Sequence, residues 1–524
     1  MRKEINRYIF FAALLLCFSG CTKPDQNEND GTVEGKEIVF TPDRTTNLRN
    51  PLSGWVLYSG LGNMETDFWT RYSSMDSSEG KVDVVAYSNT LLIRGNWKQL
   101  NPEEGVYAWQ EDCNTAAAQR YRWLIKEAKA RGLRVGFGYT IDSRDKHENC
   151  TPDYVREKGA KGYETQTGSF TGWTPYPDDP VFQKCYEKFI HDFAQEINDP
   201  DQYEFVHGVG IGKWGEYHGC IYSTGDETPR EAVLDWVSTL FTKEFTRIPT
   251  FINYHRLIGS MKSGGSADPK SESLVDKCVA KGMSIGSGAF GMGDYYGSWE
   301  KGIALKYKYK RPIVAEGGWV KSSHGSSAFK DPHGYSNWGD VRQGEYNDAI
   351  YCSANTLDFR YNSNVYDSET YSWFNDAFDL VKKFIAEGTY RLFPQKVVVP
   401  EKVRAGSEVT IQHKWMNLGQ AYCPTNIPQF EGKYKVAFAL LDPQTEKPES
   451  IFYDNQAQPC DWHKGKPLSY DFKFSLTDVR PGKYIWAVGI VDDHSADKKI
   501  GIYIAAKGEY TRDSWLKLTD VTVE

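Results

Sequence analysis

From residue 38 to residue 394 the chain alternates short apolar runs with longer segments whose apolar positions recur every three or four residues. Short runs suit buried strands, and the longer pattern suits helices with one apolar stripe. The runs fall at 55–59, 90–95, 134–141, 206–212, 250–254, 283–287, 312–315 and 356–361. Helical patterns follow at 114–131, 180–197, 229–246, 271–281, 299–309, 341–353 and 373–388. Asn114 is placed to cap the first of these helices and Gly132 to close it. Strand and helix in alternation predict an α/β fold, a (β/α)8 TIM barrel with long loops, with a doubly wound sheet as the rival.

After Pro394 the pattern changes. Residues 396–400, 408–415, 435–441, 470–474 and 484–491 read as strands, separated by turns such as Arg404-Ala405-Gly406-Ser407 and Asn417-Leu418-Gly419. No helical period intervenes, so residues 395–524 are expected to form a C-terminal antiparallel β-sandwich. Such a domain either binds glycan or caps the barrel, and capping is the preferred reading.

The amino terminus reads as a targeting segment. Arg2, Lys3 and Arg7 precede an apolar stretch at 8–18 that is too short to span a membrane. Phe18-Ser19-Gly20-Cys21 resembles a bacterial lipobox, which implies a signal peptide at 1–20 and lipidation of Cys21. An ordinary secretory signal is the alternative. Residues 21–37 are expected to be a flexible tether, which leaves 38–394 for the barrel. The acidic residues after Cys21 resemble those of surface lipoproteins of Bacteroidetes. The expectation is an exported protein, lipid-anchored to the outer membrane at the cell surface or periplasmic face.

Composition narrows the chemistry. The 524 residues carry a net charge of -8, and no basic stripe appears, which argues against a nucleic-acid partner. Beyond Cys21 the cysteines are Cys113, Cys150, Cys185, Cys220, Cys278, Cys352, Cys423 and Cys460, with no CxxC spacing and no histidine cluster. No structural zinc site is expected. Export permits disulfides, and Cys423 with Cys460 is a candidate pair. Aromatic residues make up 14% of the chain, a supply of flat faces suited either to sugar rings or to large cores.

Barrel chemistry sits where strands end and loops begin. The second run ends in Arg94-Gly95-Asn96-Trp97, the third in Thr140-Ile141-Asp142-Ser143-Arg144 and the fourth in Trp214-Gly215-Glu216-Tyr217-His218. The fifth ends in Asn253-Tyr254-His255, the sixth is followed by Asp294-Tyr295-Tyr296, and the seventh ends in Glu316-Gly317-Gly318-Trp319. Glu216 and Glu316 thus stand behind strands four and seven, nearly opposite in a small barrel. Two facing carboxyls are what glycoside hydrolysis needs, one to protonate the leaving oxygen and one to attack the anomeric carbon. Each glutamate alone is more simply an ion-pair residue. The pair, with Trp214 and Trp319 beside it, favours catalysis. Trp97, Trp214, Trp319 and Trp338 are candidate stacking platforms. Arg94 is a candidate partner of the nucleophile, His218 and His255 are candidate hydroxyl contacts, and Asp142 and Asp294 are spare carboxylates. The 317–339 segment is expected to be a long loop over the pocket.

These strand ends resemble those of clan A glycoside hydrolases, and the segment from Arg94 through Asn101-Pro102-Glu103-Glu104-Gly105-Val106-Tyr107-Ala108-Trp109 is similar to family 42-like β-galactosidases. The resemblance implies Glu216 as acid/base, Glu316 as nucleophile, Arg94 near the nucleophile, and Tyr295 or Tyr296 hydrogen-bonded to it. Tyr254, with the residues above, completes the implied substrate-binding set. The implied partner is an oligo- or polysaccharide, and no metal or organic cofactor is required. One departure stands out: Gly215 occupies the position where the clan places the asparagine that contacts the sugar 2-hydroxyl. It leaves open a non-catalytic glycan-binding lipoprotein on the same barrel, and a barrel lyase using Tyr and His.

Overall fold

The computed structural model describes residues 34–62, 67–290, 292, 295–321, 325–330, 334–360 and 369–524. Cys21 and its flanking segments, and Asp294, lie outside the described residues. Eight parallel strands close into a barrel in chain order: β1 (Gly54–Gly60), β2 (Ser88–Asn96), β3 (Arg134–Thr140), β4 (Tyr203–His207), β5 (Thr250–Asn253), β6 (Ser284–Phe290), β7 (Ile313–Gly317) and β8 (Thr356–Phe359). Pairing of β8 back onto β1, from Thr356 opposite Gly54 to Phe359 opposite Leu57, closes the barrel and removes the doubly wound alternative.

Alternation along the strands divides the apolar side chains between two cores. Trp55 and Leu57 of β1 face the helices, whereas Val56 faces the barrel axis. Trp55 stacks on Phe359 of β8 at 4.3 Å and donates from its indole to the Val381 carbonyl at 3.1 Å. The helix Ala116–Ala130 is capped by Thr115, one residue later than expected, because the Thr115 hydroxyl accepts from the Ala118 amide at 3.1 Å. The helix Pro180–Ile197 starts where Pro180 follows the cap Asp179, and it buries Phe182, Tyr186, Phe189 and Phe193, with Tyr186 against Trp97 and Phe189 against Tyr139 of β3. Each such side chain contributes about 1.5–3 kcal/mol by leaving water.

The C-terminal domain is two antiparallel sheets. One runs Lys36–Val39, Leu392–Val399, Glu408–Asn417, Leu468–Ser475, and the other Lys402–Val403, Leu516–Val523, Gly482–Asp492, Tyr434–Leu441, Pro448–Asp454. Four of these strands depart from the sequence expectation, the short Lys402–Val403 among them. Lys36–Val39, placed across the tether and barrel start, pairs with Leu392–Val399 and belongs to the sandwich. Pro448–Asp454 and Leu516–Val523 are strands where none was expected. The first is an edge strand opened by Pro and Glu, which weakens its apolar signal.

The sandwich seals the barrel floor. Inward side chains Val56, Leu92, Phe205, Phe251 and Val314 share one core with Tyr390, Leu392 and Trp415. At the strand starts, the Tyr390 hydroxyl donates to the Pro51 carbonyl at 2.6 Å and the Asn355 amide donates to the Tyr422 carbonyl at 3.0 Å. Asn50 exchanges two hydrogen bonds with the Tyr503 backbone, at 3.0 and 2.7 Å. The open end is therefore the one where the strand-end residues gather. The eight described cysteines are free thiols, and Cys423 and Cys460 are not bridged.

Candidate active site

The apolar run at 206–212 is only partly strand. β4 stops at His207, and Gly208, Gly210 and Gly212 turn the chain with φ of 78°, 72° and 78°. The short helical turn Lys213–Gly215 then delivers Glu216 into the barrel mouth. Gly215 has φ of 80°, and a Cβ there would lie 2.4 Å from the Tyr139 carbonyl oxygen at the end of β3. No side chain fits. The asparagine implied by resemblance is excluded by the packing of this turn on β3.

Glu216 keeps 22% of its side-chain surface. Its Oε1 lies 3.6 Å from Arg94 Nη2 and its Oε2 lies 3.4 Å from His218 Nε2. Burial pushes its carboxyl up, but the His218 hydrogen bond and the Arg94 charge more than reverse this, and its pKa falls below the usual value while the Glu316 charge opposes them. The His218 ring stacks on His255 at 4.5 Å. Burial, with His218 beside it, brings the His255 imidazole down to about 3, so it is neutral. Its Nδ1 accepts from the Leu257 amide at 3.0 Å, which places the proton on Nε2.

Glu316 is 1% exposed, on the inward face of β7. Its Oε2 is anchored by Arg94 Nη1 at 3.0 Å and Arg360 Nη2 at 2.8 Å. Its Oε1 is held more loosely, 3.4 Å from both Arg94 Nη1 and His207 Nδ1. Burial raises its carboxyl, yet Arg94, Arg360 and His207 hold it well below the ordinary range and keep it ionised. Arg94 Nη2 also donates to the Trp214 carbonyl at 2.5 Å, so one guanidinium ties together both carboxylates and the β4 turn. Arg360 packs over Trp319 at 4.8 Å and Tyr58 at 5.6 Å. Behind it, burial raises the Asp358 carboxyl to about 7 while that carboxyl accepts from the Gly317 amide at 2.7 Å. Glu345, likewise raised by burial to about 7, accepts from the Gly318 amide at 3.2 Å. The β7 turn is thus pinned from below by two carboxyls.

A cavity of about 680 Å3 opens above this floor, a volume suited to a small-molecule ligand. Arg94, Trp214, Glu216, His218, Tyr254, His255, Tyr295 and Trp319 all line it, whereas Glu316 lies just beneath, under the two arginines. Other expected residues lie elsewhere. Trp97 is fully buried between Tyr186 at 5.3 Å and Phe189 at 5.4 Å, because it opens the short helix Trp97–Leu100 and turns away from the mouth. Asp142 is 2% exposed and neutralised by Arg144, so it is no spare acid. Tyr296 is buried with its hydroxyl on that of Tyr254 at 2.7 Å, and neither Tyr295 nor Tyr296 contacts Glu316; His207, Arg94 and Arg360 do so instead. Trp338 packs on Phe329 at 5.0 Å and does not line the cavity. Sequence reasoning missed His207, Arg360, Tyr58 and Glu148. The signal for two of them was present: a histidine stands inside the fourth apolar run, and Asp358 and Arg360 close the eighth.

No family model matches the sequence, and no curated protein sequence matches it. The fold is similar to the catalytic domain of a β-amylase from Paenibacillus polymyxa, with a TM-score of 0.41 at 8% identity over 64% of this chain and 99% of that one. It is also similar to an exo-β-1,4-mannosidase from Opitutaceae bacterium strain TAV5, with a TM-score of 0.38 at 11% identity over 66% of this chain and 62% of that one. A GH30 endoxylanase from Clostridium papyrosolvens gives a TM-score of 0.37 at 9% identity over 83% of this chain and 95% of that one. These identities are too low for any residue of those proteins to be carried over, and what stands for this chain is a closed eight-stranded (β/α)8 barrel joined to a β-sandwich.

Proposed function

We propose that the chain is a retaining β-glycosidase of a plant, algal or host glycan, with a β-galactoside as the first substrate to test. The carrying observation is the sharing of the Arg94 guanidinium by Glu216 and Glu316, carboxylates from opposite strand ends at one pocket floor. Glu316, kept ionised by its three cationic or donating partners, is suited to attack. Its loosely held Oε1 is the oxygen to attack with, since Oε2 is committed to both arginines. Glu216, whose lowered carboxyl confines its protonated form to acid pH in the free protein, protonates the leaving oxygen and then takes a proton from water. The exchange of roles follows from charge: ionised Glu316 raises the Glu216 carboxyl, and that effect vanishes once Glu316 is esterified. Two carboxyls and water suffice, so no metal or organic cofactor enters. The lipobox-like residues 18–21 support an exported lipoprotein anchored through Cys21.

A second reading rests on the near-complete enclosure of Glu316, which suits a glycan-binding protein whose floor is a structural ion-pair cluster. A panel of aryl β-glycosides and oligosaccharides, assayed with the wild type, Glu216→Gln and Glu316→Gln, separates the two. Turnover lost in both variants is expected, with azide restoring Glu316→Gly on an activated substrate. Binding without turnover by the wild type across the panel refutes the enzyme reading.

A further inference from the structure

The pocket holds another carboxylate that a two-glutamate reaction does not use. Glu148, on the loop after β3, lines the cavity beside Lys146. Its Oε1 accepts from Asn96 Nδ2 at 2.9 Å and from Gln99 Nε2 at 3.0 Å. The direction of both amides is forced. Asn96 Oδ1 accepts from the Gln99 backbone at 2.8 Å, and Gln99 Oε1 accepts from the Asn96 backbone at 3.1 Å. This reciprocal box opens the helix Trp97–Leu100, so each amide oxygen is committed to backbone and each NH2 must face Glu148.

Two donors fill the lone-pair positions of Glu148 Oε1. Oε2 takes no hydrogen bond from any described residue, and Lys146 Nζ has no carboxylate partner among them. The cavity lining therefore includes a clamped acceptor and a cationic donor two residues away in the chain, both unspent. A sugar hydroxyl is one donor and an acceptor at once, and matches that pair. A hydroxyl blocked by acylation or glycosylation offers Oε2 no donor, so the pair favours a free hydroxyl.

We propose that Glu148 and Lys146 select a sugar unit by its free hydroxyls, Oε2 accepting from one hydroxyl while Nζ donates to the same or a neighbouring oxygen. Asn96 and Gln99 are positioning residues that fix the acceptor. The inference rests on the glycosidase reading for its rate readout only, because binding tests it separately.

The test uses p-nitrophenyl and methyl β-glycosides of galactose, glucose, mannose, xylose and fucose, with the monodeoxy analogues of the best parent. Rates are measured as kcat/KM and affinities by titration calorimetry, for the wild type, Glu148→Gln and Glu148→Ala. Glu148→Gln keeps an acceptor for the two amides and reverses hydrogen-bond polarity only at the wall, and its melting temperature checks the fold. For the wild type, one monodeoxy analogue is expected to be worse than its parent by on the order of 10- to 100-fold. Glu148→Gln should lose as much on the parent and nothing further on that analogue. Equal discrimination by wild type and both variants overturns the proposal, as does failure of every neutral parent to bind. Coupled binding without turnover leaves the hydroxyl clamp standing and removes the glycosidase reading. Turnover without coupling does the reverse.

Discussion

The turn that carries Glu216 depends on a glycine with no room for a side chain, and this can be measured. In Gly215→Ala the new residue must hold φ of 80° and place a methyl carbon 2.4 Å from the Tyr139 carbonyl oxygen. The left-handed backbone costs an L-residue about 1–2 kcal/mol. The overlap, relieved only by moving the backbone of β3 or of the turn, adds about 1–3 kcal/mol. Gly225→Ala is the control, since Gly225 has φ of 74° with nothing within 4 Å of its added carbon, and it should cost only the backbone share. Gly215→Asn, whose side chain tolerates the left-handed region, should recover part of the backbone share but none of the overlap. Urea unfolding followed by tryptophan fluorescence gives the midpoint shifts, and kcat/KM on the best aryl glycoside gives the displacement of Glu216. A misplacement of about 1 Å at a reacting group costs on the order of 100-fold. The reasoning fails if Gly215→Ala is no more destabilising than Gly225→Ala. It fails also if Gly215→Asn raises activity, because the turn would then be soft enough to admit a side chain.

Two further predictions concern His218 and Trp97. The Glu216 carboxyl, raised by burial, is drawn below its usual value chiefly by the His218 hydrogen bond and then by Arg94. Removing the bond in His218→Ala lets its pKa rise; an acid that works protonated then stays active to higher pH, so the alkaline limb of kcat/KM should move upward. A limb that stays put, or moves to lower pH, contradicts the assignment of Glu216 as the proton donor. Trp97→Ala should lower stability by about 3–5 kcal/mol, as expected for a buried Trp, with KM changed less than about twofold because the indole never reaches the cavity. A large KM effect in folded protein would place Trp97 at the substrate after all.

How much was legible differed between fold and site. The eight barrel strands were readable because strands buried on both faces appear as unbroken apolar runs, and their order along the chain is their order around the barrel. The end of β4 was misjudged because Val209 and Ile211 prolong the apolar run, while glycine conformations end the pairing at His207. At the site, strand-end position found Arg94, Glu216, His218, Tyr254 and His255, all of which line the cavity. It failed for Trp97, since a residue just past a strand can begin a helix and face the core. It failed for Asp142, since a neighbouring arginine had already neutralised it.

The sequence by itself determined the barrel, the sandwich that follows it and the strand-end address of the polar residues, because periodicity and turn chemistry are local properties of a chain. Only the tertiary structure decided which of those residues meet. Arg360 and His207 are distant in sequence from Glu316, and each acquires its role solely by closing on the same carboxylate. Charge, burial and hydrogen bonding act through space and fall off with distance, so the ionised state of the buried Glu316 and the open face of Glu148 exist only once the barrel has closed.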